Sequence, residues 1–190
     1  MSAPPVNPSL EPARSSLYFD APVTWRVIDG LAPYEHTVSE MEACALGIAS
    51  GDTPEQVWLL EHPPLYSAGT SANVSDLVDP ERFEVFKSGR GGQYTYHGPG
   101  QITGYPVFDL EKFKTSASWF IETMEEAIMD AISSFGIQAQ RIEGLTGVWI
   151  KGKTSEEDRK ICAIGVKMSR WVSIHGFALN VGPDLSYFDH

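Results

Sequence analysis

The sequence predicts an α+β domain, a mixed or antiparallel sheet with helices packed on it. Three observations point there. Only two segments carry apolar residues at helical spacing. About eight others are short, apolar and rich in β-branched residues. The two kinds do not alternate, which argues against a doubly wound parallel sheet. The 190 residues, 42% hydrophobic and 11% aromatic, suffice for one ordinary core.

In chain order, residues 1–16 hold four prolines and several serines and read as a flexible tail before a single domain over 17–190. Residues 23–28 read as a first strand. Over 33–49, Val38, Met41, Ala45 and Ile48 recur at helical spacing, and Gly51 closes the helix. Residues 57–60 form a short buried strand that His62-Pro63-Pro64 ends. The next forty residues are dense in Gly, Pro, Ser and Asn, with strands expected at 84–87, 93–97 and 102–110. A second helix starts at Thr115 or Ser116 and presents Phe120, Met124, Ala127, Ile128, Ala131 and Phe135 on one face before Gly136 stops it. Strands are then expected at 139–142, 148–150, 161–168 and 171–174.

Composition excludes several functions. A net charge of −11 argues against nucleic-acid binding, which needs a basic surplus. No run of eighteen apolar residues and no signal peptide occur, so a cytoplasmic protein without membrane contact is expected. Two cysteines, Cys44 and Cys162, make neither a disulfide framework nor a thiolate metal site. Phosphate loops, GxGxxG, HExxH and GxSxG are absent. The charge is uneven, however. Residues 141–170 carry +3 and the remainder −14, a local basic face suited to steering an acidic partner or a loop of solvated mixed charge.

The chemistry concentrates in SGRGGQYTYHGPGQITG, residues 88–104. Six glycines there surround Arg90, Tyr94, Tyr96, His97 and Gln101. Glycine lets backbone approach a ligand or turn tightly, and a meander of turns does not require Arg90, His97 and Gln101 beside them. Lys160 opens the apolar strand KICAIGVKM, either snorkelling to solvent or partly desolvated as a proton acceptor. Strand periodicity puts Cys162 on the same face as Lys160, where it is an activated thiol or inert packing. His175-Gly176-Phe177-Ala178 follows the last strand and allows a bend near a ligand. His62 is either a buried, bonded histidine or a catalytic one.

EHPPLYSAGT, RGGQYTYHGPGQITGYPVFDL, LTGVWI, KICAIGVKMSRWVSIHGFALNV and DLSYFDH, in this order, resemble the lipoyl(octanoyl) transferases, octanoyl-[acyl carrier protein]:protein N-octanoyltransferases. The resemblance implies the α+β fold of lipoate- and biotin-protein ligases. It implies octanoyl transfer from octanoyl-acyl carrier protein to a lysine of lipoyl domains, those of 2-oxoacid dehydrogenases and of the glycine cleavage H protein, with no cofactor and no metal. By that resemblance Arg90, Gly91, Gly92, Gln93, Tyr94, Thr95, Tyr96 and His97 line the acyl pocket, with Ala163, Ile164, Gly165, Gly176, Phe177 and Ala178. Lys160 matches the family lysine that lowers the pKa of the nucleophilic cysteine. That cysteine stands in the family in a Pro-Cys-Gly segment past the counterpart of DLSYFDH, and neither cysteine here occupies the place. The sequence is therefore expected to be a C-terminally truncated, inactive member. Two alternatives stay open: a non-catalytic module that holds an acylated partner, and an ATP-dependent lipoate-protein ligase.

Overall fold

The computed structural model describes residues 22–188 apart from 78 and 115; the predicted tail lies outside them. Its strands are β1 (Thr24–Leu31), β2 (Gln56–Glu61), β3 (Leu65–Ala68), β4 (Val85–Lys87), β5 (Tyr94–His97), β6 (Gln101–Val107), β7 (Gln140–Ile142), β8 (Leu145–Ile150), β9 (Arg159–Ser169) and β10 (Val172–Asn180), with helices α1 (Tyr34–Ser50) and α2 (Ala117–Ser133). Seven strands form one sheet in the order β1-β2-β6-β10-β9-β8-β7, and β4-β3-β5 form a second. The β1–β2 and β3–β4 pairs are parallel and the other pairs antiparallel, which is the mixed sheet the sequence predicts.

Helix α1 buries Tyr34, Thr37, Met41, Ala45 and Ile48 as one stripe. It ends where Gly51 turns left-handed, at φ 83°, and its N–H returns to the Ile48 carbonyl. Helix α2 starts at Ser116, whose Oγ accepts the Trp119 N–H at 3.1 Å. Its buried face is Phe120, Met124, Glu125, Ile128 and Ile132. Ala127 and Ala131 point to solvent, and Phe135 lies past the helix end, 82% exposed, because the helix stops at Ser133. Glu125 replaces an apolar residue on that face because its carboxylate accepts the Gly147 N–H at 2.8 Å and the Arg141 Nε–H at 2.9 Å.

Two elements differ from the sequence reading. β3 falls in the stretch read as a loop, yet all four of its residues are buried between β4 and β5. β9 and β10 are longer than expected and form one hairpin, closed by Arg170 and Trp171 at φ 50° and 67°, the left-handed pair of a two-residue turn. His175-Gly176-Phe177-Ala178 is therefore inside a central strand, not beyond one.

The large sheet separates two environments. On one face α2 packs on Val148, Cys162, Ile164, Val166 and Phe177. The other face carries Trp58, Leu60, Tyr105, Val107, Val172 and Ile174, which meet α1. The second sheet and the loop before β5 cover the rest of that face.

Candidate active site

Strand alternation turns Ala163 and Gly165 of β9, Gly176 and Ala178 of β10, and Thr103 and Tyr105 of β6 away from α2. Arg90, Thr95 and His97 approach them from the second sheet and its loop, and Tyr34 from the start of α1. Together with His175, Ile164 and Phe177 these residues line a small, partly open cavity. The small residues are what leave it open. A Cβ at Gly165 would stand 2.9 Å from the Gly91 carbonyl and 3.0 Å from Arg90 Cδ. His175 reaches the cavity by breaking the alternation: its φ of 64° swings the ring round until Nε2 lies 3.2 Å from the Ser88 carbonyl.

Buried polar side chains in the wall are held by one another. The Arg90 Nη2 donates to the Ser67 carbonyl and hydroxyl, both at 2.7 Å, and to the Gln93 carbonyl at 3.1 Å, while Nη1 donates to the Gly91 carbonyl at 2.8 Å. Gln101 Nε2 donates to the Tyr96 carbonyl and to Asn180 Oδ1, so its Oε1 accepts from His97 Nδ1 at 2.8 Å. His97 Nε2 then accepts from the Ser67 hydroxyl at 2.9 Å. By the same reasoning His62 donates through Nδ1 to the Ala32 carbonyl at 2.6 Å and accepts from the Tyr105 hydroxyl at 2.8 Å. The network fixes both tautomers.

Burial keeps these histidines neutral. It lowers the pKa of His62 to about 4, of His97 to about 3 and of His175 to about 4, and the Arg90 charge adds to the effect on His97 and His175. Arg90 itself keeps its charge with only carbonyls and a hydroxyl as partners, so the wall carries one buried positive charge unpaired by a carboxylate among the described residues.

Lys160 stands outside the cavity on the same face. β8 and β9 pair Trp149 with Lys160 but Val148 with Cys162, leaving Ile161 as an extra residue in β9. Because Val148 and Trp149 are adjacent in a strand, their partners Cys162 and Lys160 face opposite ways. The bulge thus corrects the expectation that the two share a face. The Lys160 ammonium lies 4.8 Å from the Trp149 ring centre, its stem runs over Gly147, and burial lowers its pKa. Cys162 is fully buried against Ile128, Ile132 and Val148, and burial pushes its thiol up to about 12. A thiol so placed is packing. Cys44, on α1, also has a raised pKa through burial.

Of the residues the sequence singles out, Arg90, Thr95, His97, Ala163, Ile164, Gly165, Gly176, Phe177 and Ala178 meet at the cavity. Gly91 and Gly92 stand behind it and shape the loop: the Gly91 N–H donates to the Val166 carbonyl, and the Gly92 carbonyl accepts from Ser71. Gln93, Tyr94 and Tyr96 line a wider, open groove on the other side of β5, where Tyr96 packs on Tyr66, Phe83 and Tyr187. The sequence reading leaves out Tyr34, Thr103 and Tyr105, which line the cavity, and Ser67, which joins Arg90 to His97. It names His175 only for the bend that the following glycine allows, not as part of the wall.

A fold with two sheets around a glycine-walled cavity, with a lysine at its margin, defines a class. The chain belongs to the lipoyl protein ligase A/B catalytic domain family, whose model matches residues 33–190. It is 50% identical over 169 residues to an octanoyltransferase of Rhizorhabdus wittichii, covering 89% of this chain and 75% of that one. It is 51% identical over 170 residues to the octanoyltransferase of Caulobacter vibrioides, covering 88% and 75%, and 44% identical over 208 residues to that of Brucella suis, covering 99% and 77%. Among solved structures, a lipoate protein ligase of T. acidophilum with bound lipoic acid superposes with a TM-score of 0.63 at 14% identity, over 88% of this chain and 71% of that one. A lipoate-protein ligase A bound with ATP gives 0.57 at 16%, over 88% and 70%. The fold is that of the lipoate ligases, and the relatives support lipoate-related acyl transfer. No helix among the described residues is long and apolar enough to cross a membrane.

Proposed function

We propose that the chain serves transfer of an octanoyl group from octanoyl-acyl carrier protein to a lysine of lipoyl domains, those of 2-oxoacid dehydrogenases and the glycine cleavage H protein. The observation that carries it is the cavity itself. Alanines and glycines of two central strands leave a slot for an acyl chain, with Lys160 on the same face three residues from Ala163. In this reading a thiolate attacks the carrier thioester, the carrier thiol leaves, and an acyl-enzyme thioester forms. The acceptor amine then attacks that thioester, forming the amide and restoring the thiol. Lys160 favours the thiolate by its charge, gives its proton to the departing carrier sulfur, and, now neutral and partly desolvated, takes the proton of the incoming amine. Arg90 and its network hold the wall and do not react.

Neither cysteine of this sequence supplies the thiolate, since Cys162 faces α2 and Cys44 lies on α1. The proposal therefore includes that the thiolate is that of the family's Pro-Cys-Gly segment, as the resemblance implies. Intact mass spectrometry of the chain with octanoyl-acyl carrier protein and an apo lipoyl domain tests it. Transfer only by a version extended with that segment is the expected result. Transfer by the chain alone would overturn the assignment of the nucleophile, and octanoyl-adenylate formed from ATP and octanoate would favour the ligase instead.

A further inference from the structure

Three irregularities meet beneath Lys160. Gly147 in β8 has a φ of 119°, a conformation that residues with a side chain rarely adopt. Its buried N–H donates to Glu125 Oε1 at 2.8 Å. Glu125 in turn sets a carboxylate, 5% exposed, on the apolar face of α2, where a hydrocarbon side chain would carry no desolvation cost. Across the ladder, β9 holds the extra residue Ile161. Bulges and strained residues gather where a side chain has to be aimed.

What the three share is the lysine. A Cβ on Gly147 would stand 3.4 Å from Lys160 Cε and 3.5 Å from Cδ, so bare backbone is the bed on which the stem lies. Two residues on, the Trp149 ring meets the ammonium at 4.8 Å, and its indole N–H donates to the Leu145 carbonyl at 3.2 Å. The bulge turns Lys160 to the cavity face; the glycine and the ring set where on that face its head stops. Among the described residues no carboxylate pairs with the lysine, so these contacts alone hold it.

Resting on the acyl-transfer reading above, which gives Lys160 its part, we propose that Gly147 and Glu125 are positioning residues for this lysine. The carboxylate pins the glycine, and the glycine keeps the Lys160 ammonium where it faces the reacting thioester. Neither touches substrate. Arg141, bound to the other Glu125 oxygen, to Glu126 and to the Glu122 carbonyl, anchors the carboxylate.

Competitive labelling with trace acetic anhydride over a pH series, read by peptide mass spectrometry, follows the ionisation of Lys160. Exposed Lys151 is the reference in the same sample. In the native chain Lys160 should titrate below Lys151, because its bed is partly desolvated. Gly147→Ala and Glu125→Leu should bring the two titrations together as the head moves into solvent. Glu125→Gln keeps an oxygen for the Gly147 N–H while removing the charge, and should preserve the native difference. In the version carrying the Pro-Cys-Gly segment, Gly147→Ala and Glu125→Leu should lower kcat about tenfold or more and leave KM for octanoyl-acyl carrier protein within about twofold. Glu125→Leu alters no strand residue, so the test stands if Gly147→Ala does not fold. An unchanged Lys160 titration and kcat in folded Glu125→Leu would overturn the proposal and leave the acyl-transfer reading standing. Equal losses in Glu125→Gln and Glu125→Leu would overturn it too, since charge and not placement would then matter. So would coincident titrations in the native chain. Undiminished transfer by Lys160→Ala would bring down the reading beneath, and the proposal with it.

Discussion

The two faces of the large sheet are built from the same strands by opposite means. Toward α2, β9 and β10 send Cys162, Ile164, Val166 and Phe177 into Phe120, Met124 and Ile128, and apolar area does the stabilising. On the other face the same strands send Ala163, Gly165, Gly176 and Ala178, too small to reach anything, and the gap is closed by Arg90, His97 and His175. One face fills its volume and the other holds volume open with hydrogen bonds. An interior that keeps space with polar groups is shaped for a ligand.

A pair of substitutions should separate the faces most sharply. Phe120→Ala should cost about 3–5 kcal/mol of stability, read by urea denaturation, and leave octanoate binding by the folded fraction unchanged. Gly165→Ala should do the reverse. Its methyl meets Gly91 and Arg90 across the cavity, so about 1–3 kcal/mol of overpacking strain should accompany loss of octanoate binding by tenfold or more. If both variants lost stability and kept binding alike, the two-face account would fail.

Acid should act on the cavity face before the α2 face. His62, His97 and His175 have folded pKa values of about 4, 3 and 4, below that of an exposed imidazole near 6.5, so unfolding takes up protons. Their contribution is whole above about pH 6.5 and is lost as pH falls toward 4. The slope should approach about 1.4 kcal/mol per pH unit for each histidine in the range below 6.5. Denaturation at pH 7, 6 and 5 reads it, and His62→Gln should remove one proton from the slope. A flat profile across that range would mean that these rings are not buried neutral.

The α2 face was legible in the sequence because apolar spacing reports burial directly: Phe120, Met124 and Ile128 were placed by period alone. From the residues alone the cavity face was legible at 88–104, where glycines cluster, and at 175–178; Ala163, Ile164 and Gly165 came only through the family resemblance. Thr103, Tyr105 and Tyr34 look like any strand or helix residue, and their convergence depends on how two sheets stack, which no local pattern records. β3 was hidden because Pro63 and Pro64 introduce it and its burial comes from both flanking strands. The bulge at Ile161 was hidden for a related reason. Period-two alternation holds only while the partner strand keeps register, and one extra residue reversed Cys162 relative to Lys160.

That reversal gives the next test. A thiol reagent should modify Cys44 in the folded chain and reach Cys162 only on unfolding, since Cys162 is sealed under α2 and its thiol is held near 12. Lys160→Ala, in a version that carries the Pro-Cys-Gly segment, should abolish transfer with less than about 1 kcal/mol change in stability, since its head meets only the half-buried Trp149 ring and pairs with no carboxylate among the described residues. Cys162→Ala should do the opposite, at a cost of about 1–2 kcal/mol and no change in transfer. Prompt labelling of Cys162 in the native chain would restore the shared-face reading.

The smallest effect belongs to the rim. Of the basic residues between Arg141 and Arg170, Arg141 is bound to Glu125 and Glu126 and Lys167 to Glu42, so the local surplus is partly spent inside the fold. Lys151, Lys153 and Arg159 remain exposed near the start of β9, beside Lys160. Exposed charges steer encounter more than they hold a complex. Reversing Lys151 and Lys153 to Glu should therefore slow association with an acidic lipoyl domain or carrier protein severalfold and flatten its dependence on ionic strength, with dissociation and stability nearly unchanged. Stopped-flow association across a salt series measures this. An unchanged slope would place docking elsewhere, and the wide groove beside Tyr94 and Tyr96, on the far side of β5 from the cavity, would be the next surface to mutate.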